Sequence, residues 1–234
     1  MKKIFGILLI ALVSNIAIAQ EDTKKGKPDI PGTLLIDLGF NFLTNAPESM
    51  DTKFFGSKTF NLYYQYDIPF GESKFSFHPG IGVGIDKLGF KDSAFIDINQ
   101  DADGNSITVM DVLPFDIKKS QLAITYLDIP VEFRFHTNPY DKSRSFKFGI
   151  GGRVGLRLSS HNKLKYTLSG IDFKSKNHIN YNLNNLRYGA TARIGIGWFN
   201  LFYYHNFSEL FKSGRAPEDK AISSYTIGLT IAGF

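Results

Sequence analysis

An all-β fold, closed as an antiparallel transmembrane β-barrel of about eight strands, is the architecture this sequence predicts. Three observations predict it. Over residues 145–158, Phe146, Phe148, Ile150, Val154, Leu156 and Leu158 alternate with Ser145, Lys147, Gly149, Gly151, Arg153, Gly155 and Arg157. The period is two, so one face asks for lipid and the other, with its glycines and cations, for a narrow lumen. Short links near 70–73, 136–144 and 198–200 alternate with long ones at 44–57, 91–121, 159–185 and 208–221, the habit of barrels with short periplasmic turns and long extracellular loops. The 22 Phe, 11 Tyr and 22 Gly among 234 residues favour strands over helices.

The N-terminus reads as a secretory signal. Lys2 and Lys3 precede an apolar run over residues 4–13, and Ala17, Ile18 and Ala19 form a small-residue cleavage site. Residues 1–19 are thus expected to be removed on export, residues 20–32 to form a mobile periplasmic lead-in, and residues 33–234 to form the barrel. The apolar run is short for a spanning helix of about 20 residues, and no later segment resembles one. With 0 Cys, disulfides, thiol catalysis and zinc-thiolate sites are excluded. The formal charge of +5 is spread along the chain, which gives nucleic-acid binding little support.

Each strand follows from its alternation. Leu34, Ile36, Leu38, Phe40 and Phe42 oppose Asp37, Gly39 and Asn41; Phe60, Leu62, Tyr64, Tyr66 and Ile68 oppose Thr59, Asn61, Tyr63, Gln65 and Asp67. In the third strand Phe75, Phe77, Ile81, Val83 and Ile85 oppose Lys74, Ser76, His78, Gly80, Gly82, Gly84 and Asp86, and the phase slips near Lys87, as a bulge at the membrane rim would make it. Leu127, Ile129, Val131, Phe133 and Phe135 oppose Asp128, Pro130, Glu132 and Arg134 in the fourth, and residues 145–158 are the fifth. The sixth sets Leu186, Tyr188, Ala190, Ala192, Ile194 and Ile196 against Arg187, Gly189, Thr191, Arg193, Gly195 and Gly197. The seventh, about 200–207, is aromatic on both faces and has no readable phase; the eighth pairs Tyr225, Ile227, Leu229 and Ile231 against Ser224, Thr226, Gly228 and Thr230. Aromatics flank the short links and would form a girdle at that interface. Phe234 is a terminal aromatic of the kind that closes such barrels, though out of phase with the apolar register before it.

Pooling the inward faces collects Asp37, Asp67, Asp86, Asp128 and Glu132 against Lys74, Arg134, Lys147, Arg153, Arg157, Arg187 and Arg193. Side chains just fill a barrel of about eight strands, so these groups are expected to pair into an interior network lying over inward glycines. A water-filled conduit lined by the same groups is the rival. If the link over 136–144 centres near Tyr140 and Asp141, Asp128 falls opposite Arg153.

One element carries a family resemblance: Tyr126, Leu127, Asp128, Ile129, Pro130, then Val131, Glu132, Phe133, Arg134 and Phe135, followed by a Gly-rich strand. It resembles the PorT-like outer-membrane β-barrel family. That resemblance implies a small barrel of the bacterial outer membrane, one named member of the family serving type IX protein secretion.

Three further clusters invite chemistry. Asn99, Asp101, Asp103 and Gly104 resemble the opening of a calcium loop, but the closing Glu is replaced by Met110, and an Asp-Gly turn between residues 95–98 and 107–112 makes an ordinary hairpin tip. His205, Ser208 and Glu209 loosely resemble the set of outer-membrane lipid A deacylases, yet on a regular strand His205 and Ser208 face opposite sides. His161, Lys163, Lys165, Lys174, Lys176 and His178 form a basic run in an outer segment, either solvated or in contact with lipopolysaccharide phosphates. Catalysis, cofactors and resident metals are not indicated. The expected role is structural or interactive, including docking to an envelope or secretion assembly, with outer-membrane lipid and lipopolysaccharide as surroundings. A narrow solute-transport barrel is the alternative and a lipid-modifying hydrolase the third reading.

Overall fold

The computed structural model describes residues 32–115, 117–138 and 145–233. The expected signal peptide, the lead-in up to Pro31, the hairpin centre at Tyr140 and Asp141, and the terminal ring of Phe234 lie outside them. The strands are β1 (Gly32–Thr44), β2 (Lys58–Tyr66), β3 (Ile68–Pro69), β4 (Phe75–Gly89), β5 (Ala94–Gln100), β6 (Ser106–Val112), β7 (Ile117–His136), β8 (Phe146–Leu168), β9 (Ile171–Asn177), β10 (Leu186–Ile196), β11 (Phe199–Asn206) and β12 (Ser223–Gly233). Pairing runs β10-β11-β12-β1-β2-β4-β7-β8, and β8 pairs back onto β10, so eight antiparallel strands close a ring with β3 prolonging β2. Closure leaves no unpaired edge in the hydrocarbon, the condition any sheet must meet to span a bilayer.

The outward register is apolar and open to its surroundings: Leu38, Ile81, Ile129, Ile150, Leu156 and Leu229 are each about half exposed. The inward register is polar and buried, with Asp37, Asn61, Gln65, Asp128, Glu132, Arg153, Arg187 and Thr230 nearly inaccessible. Aromatic rings pack at the end with short turns, Phe77 on Phe133 at 4.9 Å and Phe75 on Phe135 at 5.3 Å. A second set stands at the opposite rim, where Phe40 stacks on Phe54 at 4.2 Å and Phe42 on Tyr225 at 5.0 Å. The girdle expected at one interface is thus present at both.

Two sequence expectations are corrected. No bulge lies near Lys87: β4 and β7 keep one register from Phe75↔Phe135 to Gly89↔Gln121. Leu88 and Phe90 look out of phase because the strand has left the barrel's polar interior, and its inward side now meets an apolar core. A bulge lies instead between β7 and β8, where Thr125 pairs with Ser159 and Tyr126 with Arg157, leaving Leu158 as the extra residue, and a second irregularity follows higher up at Lys118. Asp128 pairs across with Gly155 rather than Arg153, which faces Pro130, so the β7–β8 hairpin is offset by two residues from the expected pairing.

The long segments are also more ordered than loops. β7 and β8 run on well beyond the barrel, β9 extends them, β5 and β6 form the hairpin tipped by Asp103-Gly104, and Glu48–Met50, Phe54–Gly56 and Pro217–Asp219 are short 3-10 turns. Together they enclose Met50, Leu88, Phe90, Ile96, Leu122, Ile124, Tyr181, Leu183, Phe211 and Ile222 in one apolar core above the barrel. Unlike the barrel, this cap is built around apolar side chains. The β11 register becomes legible as well: Asn200, Phe202, Tyr204 and Asn206 point inward, and Phe199, Leu201 and Tyr203 outward.

Candidate functional site: lumen and cap

The lumen holds two ion-paired clusters. Nearer the cap, Arg187 on β10 reaches across to Asp128 on β7, with Nη2 and Nε donating to the two carboxylate oxygens at 2.6 and 3.1 Å, and to Asp86 on β4 at 2.5 Å. Such a fork is the strong form of the Arg–carboxylate pair. The Tyr63 hydroxyl donates to Asp128 at 2.6 Å and accepts from Arg153. Arg153 lies 3.6 Å above the ring of Tyr204, and Arg187 3.7 Å above that of Tyr126, so each guanidinium is desolvated onto a π-face. Glycines make room for this. A Cβ at Gly84 would stand 2.6 Å from Asp128 Oδ2, and one at Gly155 would meet Arg187 Nε at 3.0 Å, which is why the inward face alternates Gly with large cations.

Nearer the periplasm the cluster centres on Glu132. Arg134 Nε donates to Glu132 Oε1 at 2.5 Å, and Arg193 bonds the other oxygen. Arg193 also reaches Asp37 at 3.2 Å and the Thr230 hydroxyl at 3.0 Å, and Thr230 donates to Asp37 at 2.6 Å. Arg134 continues to Gln65, His78 pairs with Asp67 at the mouth, and the Ser76 hydroxyl sits 2.7 Å from His78 Nε2.

The sequence-predicted interior set is therefore divided by the structure. Asp37, Asp86, Asp128, Glu132, Arg134, Arg153, Arg187 and Arg193 meet in the lumen, with Asp67 at its edge. Lys147 stands at the periplasmic end and donates to the Gly197 carbonyl at 3.0 Å. Two placements are corrected. Lys74 is exposed in the turn before β4, because the strand starts one residue later. Arg157 sits above the membrane part of β8 and spends its guanidinium on the Asn184 carbonyl and the Asn185 amide oxygen, at 3.2 and 2.5 Å, rather than on a carboxylate. Gln65, His78, Tyr126 and Tyr204 complete the clusters and were absent from the sequence list of charges. Their inward register was the available signal for the first two.

The other clusters resolve locally. Asp101 Oδ1 accepts the N–H groups of Asp103 at 3.0 Å and Asn105 at 2.7 Å, holding the β5–β6 turn, and these bonds lower its pKa; Asn99 caps Gln100. Among the described residues no group of three His, Asp or Glu side chains is placed to hold a metal. His205 bonds Tyr203 at 3.0 Å on the outer face, whereas Ser208 bonds Asn206 at 2.8 Å on the inner one, so base and hydroxyl are not within reach of each other. Among the described residues, two lumen voids measure about 30 and 10 Å³, each with room for a water or two but not a solute.

Residues 31–212 match the family described as outer membrane protein beta-barrel domain. Antiparallel eight-strand closure, a lipid-suited exterior and that match define an outer-membrane β-barrel. The chain belongs to this family and is a protein of the bacterial outer membrane. Among solved structures it is similar to Ail, the attachment invasion locus protein of Yersinia pestis, crystallised with the heparin analogue sucrose octasulfate, at 14% identity and TM-score 0.38, covering 87% of this chain and 100% of that one. A second Ail structure from Yersinia pestis gives 13% identity and TM-score 0.36, with coverage of 86% and 97%. No curated protein matches the chain.

Proposed function

We propose that this protein is a sealed barrel with a structural or interaction role, whose membrane part anchors a folded extracellular cap for docking to an envelope or secretion assembly. The observation that carries it is the filled lumen: two layers of paired arginines and carboxylates separate its ends, and the apolar core of the cap stands above them. A conduit would need continuous water, and a barrel of this strand number has no spare width. The element over 126–135 supports a place in the PorT-like branch, and with it a link to type IX secretion. Export through a cleaved signal over residues 1–19 fits the N-terminal sequence. Outer-membrane lipid surrounds the barrel, and lipopolysaccharide is the partner proposed for its basic outer face. Planar-bilayer recordings on the refolded protein are expected to show no steady ohmic channel. Reproducible unitary conductance, altered by replacing Arg153 or Glu132, would overturn the sealed reading in favour of narrow transport.

A further inference from the structure

Above the bulge the outward face of the sheet turns from apolar to polar and then to basic. Below it stand Val83 and Ile85 on β4, Leu127 on β7, and Leu156 and Leu158 on β8, all apolar. Lys87 follows Ile85 on the same face of the strand, roughly 7 Å further up. Cross-strand pairing then lays cations side by side: Lys119↔Lys165↔Lys174 in one row and Lys163↔Lys176 in the row beneath it. Beneath both, the rings of His161 and His178 stack at 5.2 Å.

Like charges directly opposite each other destabilise a sheet unless something lies between them. Among the described residues, no carboxylate is within ion-pair distance of these lysines; the nearby Asp172 is bound to Lys118 at 2.8 Å. Desolvation, and then the charges of Lys165, Lys174, Lys176 and Lys87, hold the Lys163 ammonium below the usual lysine range. A face that keeps such repulsion needs an anion supplied from outside. Its position says which: it lies on the same outward face that is apolar lower down, with only Thr125, Ala123 and Gln121 on β7 and Ser159 and His161 on β8 between them, so it stands at and above the outer-leaflet headgroups. The rows are stacked over several residues, so they match a glycolipid bearing phosphates at more than one height better than a phospholipid bearing one.

We propose that this lysine ladder is a binding site for the phosphates of lipopolysaccharide, one that clamps the glycolipid against β7, β8 and β9. The proposal rests on the outer-membrane reading above and deepens it by naming the site and the chemistry it takes.

The test uses the refolded protein in phosphatidylcholine vesicles, alone and with lipopolysaccharide, dephosphorylated lipopolysaccharide or phosphatidylglycerol added. Wild type is expected to gain on the order of 5 °C in thermal midpoint with intact lipopolysaccharide, by ligand linkage, and much less with the other two. Replacing Lys119, Lys163, Lys165, Lys174 and Lys176 together by Gln should abolish the gain while raising the midpoint in phosphatidylcholine, where only repulsion is lost. The milder pair Lys165→Gln and Lys174→Gln should roughly halve the gain if the full set does not fold. No gain in wild type, an equal gain with phosphatidylglycerol, or a gain retained by the variants would overturn the assignment. Failure of wild type to insert into phosphatidylcholine would instead remove the membrane reading, and this site with it.

Discussion

Strand β7 passes through two interiors of opposite character. Within the barrel its inward side chains are Arg134, Glu132 and Asp128; above Tyr126 they become Ile124 and Leu122, both inaccessible. The register with β4 is unbroken at that point, and the bulge opposite, in β8, leaves the inward residues of β7 in phase. What changes is the medium outside. Where lipid surrounds the sheet, apolar side chains gain little by turning inward, so the outside takes them and the inside is filled by polar groups that satisfy one another. Where water surrounds the cap, the hydrophobic effect returns and the inside is apolar. Tyr126 belongs to both, with its ring against the cap core and under the Arg187 guanidinium.

If the two interiors are held by different forces, they should fail differently. The largest effect is expected in the lumen. Arg187→Met leaves the buried Asp128 and the partly exposed Asp86 without their shared cation, which costs about 3–5 kcal/mol where burial is complete and less where lumen water enters. Urea unfolding in detergent checks this, with the heat-modifiable gel shift reporting the barrel. A variant as stable as wild type would show the ion pairs to be incidental, and the lumen to be held by backbone pairing alone.

The next effect belongs to the cap. Leu122→Ala removes a fully buried side chain from the apolar core, at a cost of about 3 kcal/mol. Because the ring of strands below does not depend on that core, the loss should appear as local opening. Protease cleavage of the β5–β6 hairpin should rise by roughly a hundredfold while the barrel's gel shift stays put. Simultaneous loss of both would mean that cap and barrel unfold as one unit.

The same comparison explains what was legible in the sequence. Barrel strands announce themselves because one medium acts along their whole length, so Leu127 to Phe135 and Leu186 to Ile196 alternate cleanly. The cap strands do not announce themselves in the sequence because β4, β7 and β8 cross from lipid to water: the inward register switches from polar to apolar, and β8 also skips a residue against β7 at Leu158. Leu88 and Phe90 looked like a slip for that reason. β11 had no phase because Phe202 and Tyr204 serve the lumen, the latter as the platform for Arg153, which composition cannot tell from a lipid-facing ring. The carboxylates and arginines of the lumen were found by register alone, but not who pairs with whom, since contacts across a barrel join strands distant in sequence, as Asp128 joins Arg187. Lys119 was missed from the ladder because it lay in a stretch with no assigned phase.

The smallest effect separates the two arginines nearest Asp128. The expected hairpin placed Arg153 directly opposite it, but in the structure Arg153 faces Pro130 and its Nη1 is 3.9 Å from Asp128 Oδ2, against 2.6 Å for Arg187. Arg153 acts on the carboxylate mainly through the Tyr63 hydroxyl between them, and the rest of its anchorage is the Tyr204 ring. Double-mutant cycles read such differences directly. Asp128→Asn combined with Arg187→Met should show coupling of about 3 kcal/mol, and combined with Arg153→Met about 1 kcal/mol. Tyr63→Phe should erase most of the smaller coupling while leaving the larger in place, because it removes the relay without touching the direct fork. Equal couplings, or an Arg153 coupling indifferent to Tyr63, would mean that Asp128 faces Arg153 after all, and that β8 is shifted by two residues against β7.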